Sequence, residues 1–282
     1  MLSPLNLLRK HGVRPLKRLG QNFLCDPNIL EKIVRIAGVC DTDTVVEIGS
    51  GIGVLTALLA GCARRVIAIE IDRRLVEVLK AELGGVPNVE IVRGDVLAFD
   101  FAAARPEGGL GRVRVVGNVP YNLSGPIVLK LLDARESIDR AVLMLQREVA
   151  ERLAAVPGTK SYGPLSVYVA LYTEARLEAR VPASCFVPRP EVESRLIRLD
   201  VRREPLCAVD DPSLFRDVVR GCFAKRRKTL LNNLRQSGLP LRPEAVPTVL
   251  EELGIDGKRR AETLSVREFA SLSNRIGRGQ TS

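Results

Sequence analysis

The sequence has a single histidine, His11, and no tryptophan among its 282 residues. One histidine excludes mechanisms that need two, which include most zinc hydrolases. The six cysteines lie far apart, and no two of them have the CxxC spacing typical of zinc and dithiol redox sites. A disulfide framework is improbable at this chain length and spacing, so we expect free thiols in a reducing, cytoplasmic compartment.

Long apolar runs are also missing. No stretch approaches the roughly 18 consecutive apolar residues of a membrane-spanning helix. Residues 1–20 lack the apolar core and the small-residue cleavage site of a secretory signal. Hydrophobic residues make up 46% of the chain and charged residues 27%. That composition is typical of a globular protein and is too apolar for a disordered chain.

The formal net charge of +10 is concentrated at the two ends of the chain. Residues 1–20 contain five Lys or Arg and no acid, and residues 181–282 contain 19 basic and 13 acidic groups. Residues 21–180, with 19 basic and 20 acidic groups, are nearly neutral. Such basic ends indicate either a polyanionic partner or a solubilising surface, and charge alone does not separate the two.

Short β-branched apolar runs alternate with helical patterns over the first 155 residues, which predicts a parallel sheet with helices on both faces. The predicted strands are 44–48, 66–69, 89–92, 112–117 and 141–145. The alternating patterns at 173–181 and 195–201 predict two antiparallel strands at one edge, giving a seven-stranded, mostly parallel α/β sheet. Helical patterns after residue 204 predict a small all-α domain, with domains at 1–204 and 205–282.

A glycine loop follows the first predicted strand, with Gly49, Gly51 and Gly53 at alternate positions. Glu70 ends the second strand, where a carboxylate accepts hydrogen bonds from ribose hydroxyls. The GxGxG spacing disfavours a dinucleotide pyrophosphate and suits a nucleoside with an amino-acid tail, such as S-adenosylmethionine. Asp95 follows the third strand, where it either accepts from an adenine amine or caps a turn.

The sequence Asn118-Val119-Pro120-Tyr121 follows the fourth strand. An adenine amine is a poor nucleophile because its lone pair is delocalised into the ring. The Asn118 side-chain carbonyl and a backbone carbonyl near Val119 would accept its two hydrogens and so favour a localised lone pair. Tyr121 would stack on the base, and Phe186, before a stiff Pro-rich loop, would form the other face of a sandwich. A β-turn with packed aromatic residues is the structural alternative.

Together these motifs resemble the ribosomal RNA adenine N6,N6-dimethyltransferase family, most of all its bacterial small-subunit members, over nearly the whole chain. The resemblance is carried by Gly20-Gln21-Asn22-Phe23-Leu24, Glu47-Ile48-Gly49-Ser50-Gly51, Glu70, Asp95, residues 118–124 and 186–190, and the C-terminal segments 223–230, 232–234 and 260–262.

The resemblance implies a Rossmann-like class I methyltransferase fold that uses S-adenosylmethionine. It implies two successive methyl transfers to each of two adjacent adenines, in a hairpin near the 3′ end of 16S rRNA, during small-subunit biogenesis. The cofactor contacts it implies, with the second loop glycine added, are Asn22, Leu24, Gly49, Gly51, Glu70, Asp95 and Asn118. The residues implied to handle the base are Asn118, Tyr121 and Phe186.

The basic ends would then hold RNA phosphates. The expected RNA-binding residues are Arg14, Lys17, Arg18, Lys225, Arg226, Arg227 and Lys228. We expect a monomer whose partner is 16S rRNA within the small ribosomal subunit, with no metal and no membrane contact.

Three alternatives remain at this point. The first is dimethylation of an adenine in 23S rRNA, as in antibiotic resistance, which the catalytic motifs do not exclude. The second is a ribosome-assembly checkpoint in which methylation is secondary. The third, a nicotinamide oxidoreductase, is disfavoured by the GxGxG spacing and by the absence of a suitable proton-relay histidine.

Overall fold

The computed structural model describes residues 4–16, 19–106 and 111–279. Its strands are β1 (Phe23–Leu24), β2 (Thr44–Ile48), β3 (Arg65–Glu70), β4 (Val89–Arg93), β5 (Val113–Asn118), β6 (Ile138–Gln146), β7 (Thr173–Val181), β8 (Phe186–Val187) and β9 (Ser194–Val201). Its α-helices are α1 (Pro4–Lys10), α2 (Pro27–Ala37), α3 (Val54–Ala60), α4 (Arg73–Leu83), α5 (Ser124–Asp133), α6 (Arg147–Leu153), α7 (Pro164–Tyr172), α8 (Pro212–Cys222), α9 (Leu230–Arg235), α10 (Val246–Glu252) and α11 (Val266–Arg278).

Seven strands form one sheet in the order β4-β3-β2-β5-β6-β9-β7. The strands from β4 to β6 are parallel to their neighbours, and β9 is antiparallel to β6. The chain runs outwards from β2 through β3 to β4, then returns to the other side of β2 with β5. Ligands of such sheets bind beyond the carboxyl ends of the strands where this reversal occurs. The predicted α/β fold is therefore confirmed.

The central strands form because their side chains are buried on both faces, as the β-branched run Thr44–Ile48 requires. Helix α3, which follows β2, begins at a glycine, and helix α4, which follows β3, begins at a polar cap. Asp72 caps α4 by accepting from the Arg74 amide, and Asp26 caps α2 in the same way. These short strand-to-helix turns bring the loops after β2, β3 and β5 to the same edge of the sheet.

Five elements were not predicted from the sequence. Helices α1, α2 and α7 had no assignment, and β1 and β8 pair to form a separate two-stranded antiparallel ribbon. Helix α1 packs through its buried Leu7 and Leu8. Its end is tied to α4, because Lys10 Nζ and His11 Nε2 each lie 2.6 Å from Glu82 Oε1.

The described chain divides into two compact units. The first, Met1–Ala150 with Glu174–Val201, contains the sheet. The second, Glu151–Thr173 with Arg202–Ser282, is helical. Its core includes stacked rings of Phe223 and Phe269, with centroids 5.7 Å apart. The domain division at 204/205 stays a prediction, and it groups residues 151–173 with the sheet.

Helix α11 begins with a capping box formed by Ser265 and Glu268. The Ser265 amide donates to Glu268 Oε2 at 2.7 Å, and the Glu268 amide donates to Ser265 Oγ at 3.2 Å. None of the helices in the three described ranges is long and apolar enough to cross a membrane.

Candidate active site

A cleft opens at the carboxyl ends of β2, β3 and β5, where the strand order reverses. It encloses about 790 Å³ of space, including its open mouth. Of the residues predicted to bind the cofactor or the base, those lining it are Asn22, Gly49, Gly51, Glu70, Asp95, Asn118 and Tyr121. The structure thus brings together residues that are spread over a hundred positions of the sequence.

The glycine loop is bent tightly against the neighbouring strands. Gly49, Gly51 and Gly53 all have positive φ, of 69°, 59° and 82°, which only glycine adopts without strain. The Gly49 amide donates to the Ile69 carbonyl at 3.0 Å. A Cβ on Gly49 would lie 3.4 Å from the Asn118 carbonyl oxygen. The loop therefore places backbone atoms without side chains at the floor of the cleft.

Glu70 is fixed at the end of β3 with both carboxylate oxygens engaged. Its Oε2 accepts from the Gly51 amide and its Oε1 from the Asp72 amide, each at 2.9 Å. Burial raises the pKa of Glu70, and the amide donors oppose that shift. Each oxygen retains a second lone pair for a hydroxyl donor. The carboxylate is thus preorganised for the predicted ribose contact.

Glu47 is a second buried carboxyl group, on β2 beneath the glycine loop. Its Oε2 accepts from Thr56 Oγ1 at 2.5 Å. Burial raises the pKa of Glu47 to about 8, so the carboxyl group is largely protonated at neutral pH. It lines a smaller cavity, shared with Leu24 and Asn118, that lies alongside the cleft.

Asn118 is held by both its side chain and the residue that follows it. Its Nδ2 donates to the Asn22 carbonyl at 2.8 Å, and the Val119 amide donates to the Met144 carbonyl at 3.2 Å. Because the side-chain nitrogen of Asn118 donates to the Asn22 carbonyl, the side-chain oxygen of Asn118 points away from that carbonyl and is available as an acceptor. Asn118 lines both cavities, where an acceptor for an incoming amine is required.

Tyr121 closes one side of the cleft. Its hydroxyl and Ser194 Oγ share a hydrogen bond of 2.7 Å, which ties the loop after β5 to the start of β9. Burial raises the pKa of Tyr121, so the ring is neutral at physiological pH. A neutral, anchored aromatic ring is suited to stacking on a base.

The ribbon of β1 and β8 places Leu24 opposite Phe186. Leu24 lines the smaller cavity, whereas Phe186 is 2% exposed, packs in the hydrophobic core and lines neither cavity. The structure thus joins the two segments that contain these residues, although Phe186 does not face the cleft. Its role as the second face of a base sandwich stays a prediction.

Asp95 lines the cleft and also caps a short 3₁₀ helix at Val96–Ala98. Its Oδ1 accepts from the Leu97 amide at 2.9 Å. The two interpretations of Asp95 are therefore compatible, since a carboxylate that caps with one oxygen has the other available.

The predicted RNA-binding residues lie in both units. Lys225–Lys228 are all exposed on the loop between α8 and α9. Lys225 Nζ donates to Gln236 Oε1 and an Arg226 guanidinium nitrogen to the Lys160 carbonyl, each at 2.8 Å. Arg14 is exposed, and Lys17 and Arg18 lie outside the described residues.

Sequence reasoning missed Gln21, a polar residue of the cleft, and its hydrogen-bond partner Asp72. Gln21 lines the cleft beside Asn22, and its side chain donates to Asp72 at the start of α4. Both had a sequence signal, since Gln21 belongs to the Gly-Gln-Asn-Phe-Leu segment and Asp72 precedes a helical pattern as an N-cap does. In the part of the chain that the structure describes, no cluster of three or more His, Cys, Asp or Glu is suited to a metal ion.

Comparisons with known proteins match this chain over nearly its whole length. The model of a family described as "Ribosomal RNA adenine dimethylase" matches residues 14–277. The "Ribosomal RNA small subunit methyltransferase A" of Syntrophus aciditrophicus is 44% identical over 271 residues, 96% of this chain and 97% of that protein.

Two solved structures share the fold over most of the chain. One is a dimethyladenosine transferase from Plasmodium falciparum, with a TM-score of 0.78 and 28% identity, covering 90% of this chain and 98% of that one. The other is the 23S rRNA methyltransferase ErmE, with a TM-score of 0.68 and 29% identity, covering 91% of this chain and 100% of that one.

Proposed function

This chain belongs to the ribosomal RNA adenine dimethylase family, and from that premise we propose that it dimethylates N6 of two adjacent adenosines in a hairpin near the 3′ end of 16S rRNA. The relative named as a small-subunit methyltransferase is 44% identical. The 23S rRNA methyltransferase ErmE is 29% identical. Identity over nearly the full length therefore favours the small-subunit rRNA over the large-subunit alternative.

S-adenosylmethionine is the proposed methyl donor, and when bound it supplies an electrophilic methyl group on a sulfonium. The residues present fit such a molecule, because Glu70 is a preorganised acceptor for ribose hydroxyls. Asp95, at the rim, would accept from the exocyclic amine of its adenine. The backbone at Gly49 and Gly51 leaves room for an amino-acid tail, and Asn22 and Leu24 complete the proposed contacts.

The observation that carries the catalytic proposal is the hydrogen bond from Asn118 Nδ2 to the Asn22 carbonyl. It leaves the side-chain oxygen of Asn118 as an acceptor for one hydrogen of the target amine, while a backbone carbonyl near Val119 accepts the other. Two acceptors favour a nitrogen whose lone pair is localised. This lone pair would attack the methyl carbon as the carbon–sulfur bond of the sulfonium breaks, leaving a neutral thioether. The nitrogen then releases a proton to solvent. Tyr121 stacks on the base, which must leave its helix to reach the cleft.

The exposed loop Lys225–Lys228 and Arg14 are proposed to hold phosphates of the rRNA, which makes binding sensitive to salt. We further propose that the protein acts as a monomer in the cytoplasm on small ribosomal subunits. A checkpoint role in subunit assembly is compatible with this activity.

Methyl transfer from tritiated S-adenosylmethionine to purified, unmethylated 30S and 50S particles tests the proposal. We expect incorporation into 30S particles only, recovered as N6,N6-dimethyladenosine after nucleoside analysis. Primer extension on both rRNAs locates the modified bases. A stop in 23S rRNA alone would overturn the proposal in favour of the large-subunit alternative.

A further inference from the structure

The side chain of Gln21 bridges two separate parts of the chain at the edge of the cleft. Its Oε1 accepts from the Leu16 amide at 2.8 Å, and its Nε2 donates to Asp72 Oδ2 at 2.9 Å. Both ends of the amide are thus used, one as an acceptor and one as a donor. Neither a carboxylate nor an aliphatic side chain satisfies both partners.

Asp72 is itself rigidly held. It is 8% exposed, and its Oδ1 accepts from the Arg74 amide at 3.0 Å while Arg74 Nη2 lies 2.6 Å from its Oδ2. The hydrogen-bonded Arg74 guanidinium lowers the pKa of Asp72 to about 2, so this carboxylate is ionised at physiological pH. Gln21 therefore donates to a charged acceptor, which makes the stronger kind of hydrogen bond.

Hydrogen bonds lead from this pair to both ends of the proposed site. On one side, the Asp72 amide donates to Glu70 Oε1 at 2.9 Å. On the other side, Asn22, the neighbour of Gln21, accepts from Asn118 Nδ2 through its carbonyl. A continuous path thus runs from the ribose acceptor to the base acceptor, and Gln21 is its midpoint.

We propose that Gln21 is a positioning residue that sets the placement of Asn22, and through it Asn118, relative to Glu70. The proposal rests on the function proposed above, since it concerns the same cofactor and base. A residue that only anchored the N-terminal segment would have the same role as Glu82, which holds Lys10 and His11 at the end of α1. The role proposed for Gln21 is different, because it concerns the placement of Asn22 and Asn118. Glu82→Gln is therefore the matched control.

The test compares Gln21→Ala, Gln21→Glu, the double variant Gln21→Glu/Asp72→Asn, and Glu82→Gln. Calorimetry gives the dissociation constant of S-adenosylhomocysteine, and single-turnover transfer to unmethylated 30S particles at saturating cofactor gives the rate. Gln21→Glu places a second carboxylate against Asp72. Asp72→Asn in the double variant removes that repulsion and restores a donor–acceptor pair.

We expect Gln21→Ala to weaken cofactor binding about tenfold, as the loss of a hydrogen bond to a charged group implies. We also expect it to slow transfer at saturating cofactor by a similar factor, because Asn118 is displaced. Gln21→Glu should bind S-adenosylhomocysteine more weakly and transfer methyl groups more slowly than Gln21→Ala. The double variant should recover at least part of the affinity and part of the rate that Gln21→Glu loses. Glu82→Gln should stay within about twofold of the wild type, the size of a weak exposed contact.

Three results would overturn the inference: wild-type values for Gln21→Ala, equal losses for Glu82→Gln, or a double variant no better than Gln21→Glu. A wild-type protein that binds S-adenosylhomocysteine and methylates 30S particles keeps the proposed function intact in each case. Failure of the wild type in both assays would instead remove the proposed function, and this inference with it.

Discussion

The buried carboxyl group of Glu47 predicts an unusual dependence of stability on pH. Its side chain accepts a hydrogen bond from Thr56, and burial raises its pKa to about 8. An unfolded glutamate has a pKa of about 4.3. Since the folded value is the higher one, its stabilising contribution is complete below about pH 4 and is lost as the pH rises towards about 8.

The magnitude follows from the linkage between protonation and folding. Each pH unit within that window costs the wild type about 1.4 kcal/mol of unfolding free energy through this one group. Glu47→Gln keeps a neutral group of the same size and does not titrate. The free energy of unfolding of Glu47→Gln, relative to that of the wild type, should therefore rise by about 1.4 kcal/mol per pH unit from pH 5 to pH 8. Above pH 8 the difference should level off.

Urea denaturation of both proteins at half-unit intervals from pH 5 to pH 9 measures this difference directly. Glu90→Gln is a matched control, because it removes an exposed carboxylate of β4 that pairs with Arg65. Parallel curves for the wild type and Glu47→Gln would refute the reasoning, since they would mean that Glu47 is already ionised at pH 5.

Three further outcomes are expected. Asn118→Ala should bind RNA as the wild type does but lose methyl transfer by at least about a hundredfold, in the range of acceptor losses at active sites; near-normal turnover would contradict its role. Tyr121→Phe should lose about 1 kcal/mol of stability with its hydrogen bond to Ser194, measured by denaturation, yet retain stacking and most activity; a large loss of activity would mean that the hydroxyl acts in catalysis. Lys228→Ala should lower the slope of log affinity against log salt by about 1, measured by filter binding to rRNA; an unchanged slope would mean that Lys228 contacts no phosphate.

The parts of the fold that could be predicted from the sequence are those whose burial leaves a simple pattern. Parallel strands such as Thr44–Ile48 are buried along their whole length and mostly apolar because both faces are covered. Residues at their carboxyl ends then necessarily meet at one edge, which is why Glu70 and Asn118 could be placed in a common site. The helical patterns at residues 54–60 and 73–83 likewise coincide with α3, Val54–Ala60, and α4, Arg73–Leu83.

Some of the missed elements leave weak or misleading patterns. Helix α2 does not, because Asp26 as N-cap, Pro27 at its first position and Gly38 as C-cap are all signals that the sequence contains. Helix α7, Pro164–Tyr172, is apolar almost all round and has no amphipathic period that would separate it from a strand. Two-residue strands such as β1 are too short to show any alternation. Phe186 could be assigned to an aromatic motif, but its burial depends on the pairing of β1 with β8, which no local pattern encodes.

That pairing joins Leu24 to a partner, Phe186, that the ribosome synthesises 162 residues later. Closing so long a loop carries a high entropic cost, so this contact forms after the local helices and strands. One wall of the smaller cavity is therefore assembled only once most of the polypeptide has emerged. In a nascent chain that ends before residue 186, the partner strand of Leu24 is still missing, so we expect the ability to bind a ligand at this cavity to arise late in biosynthesis.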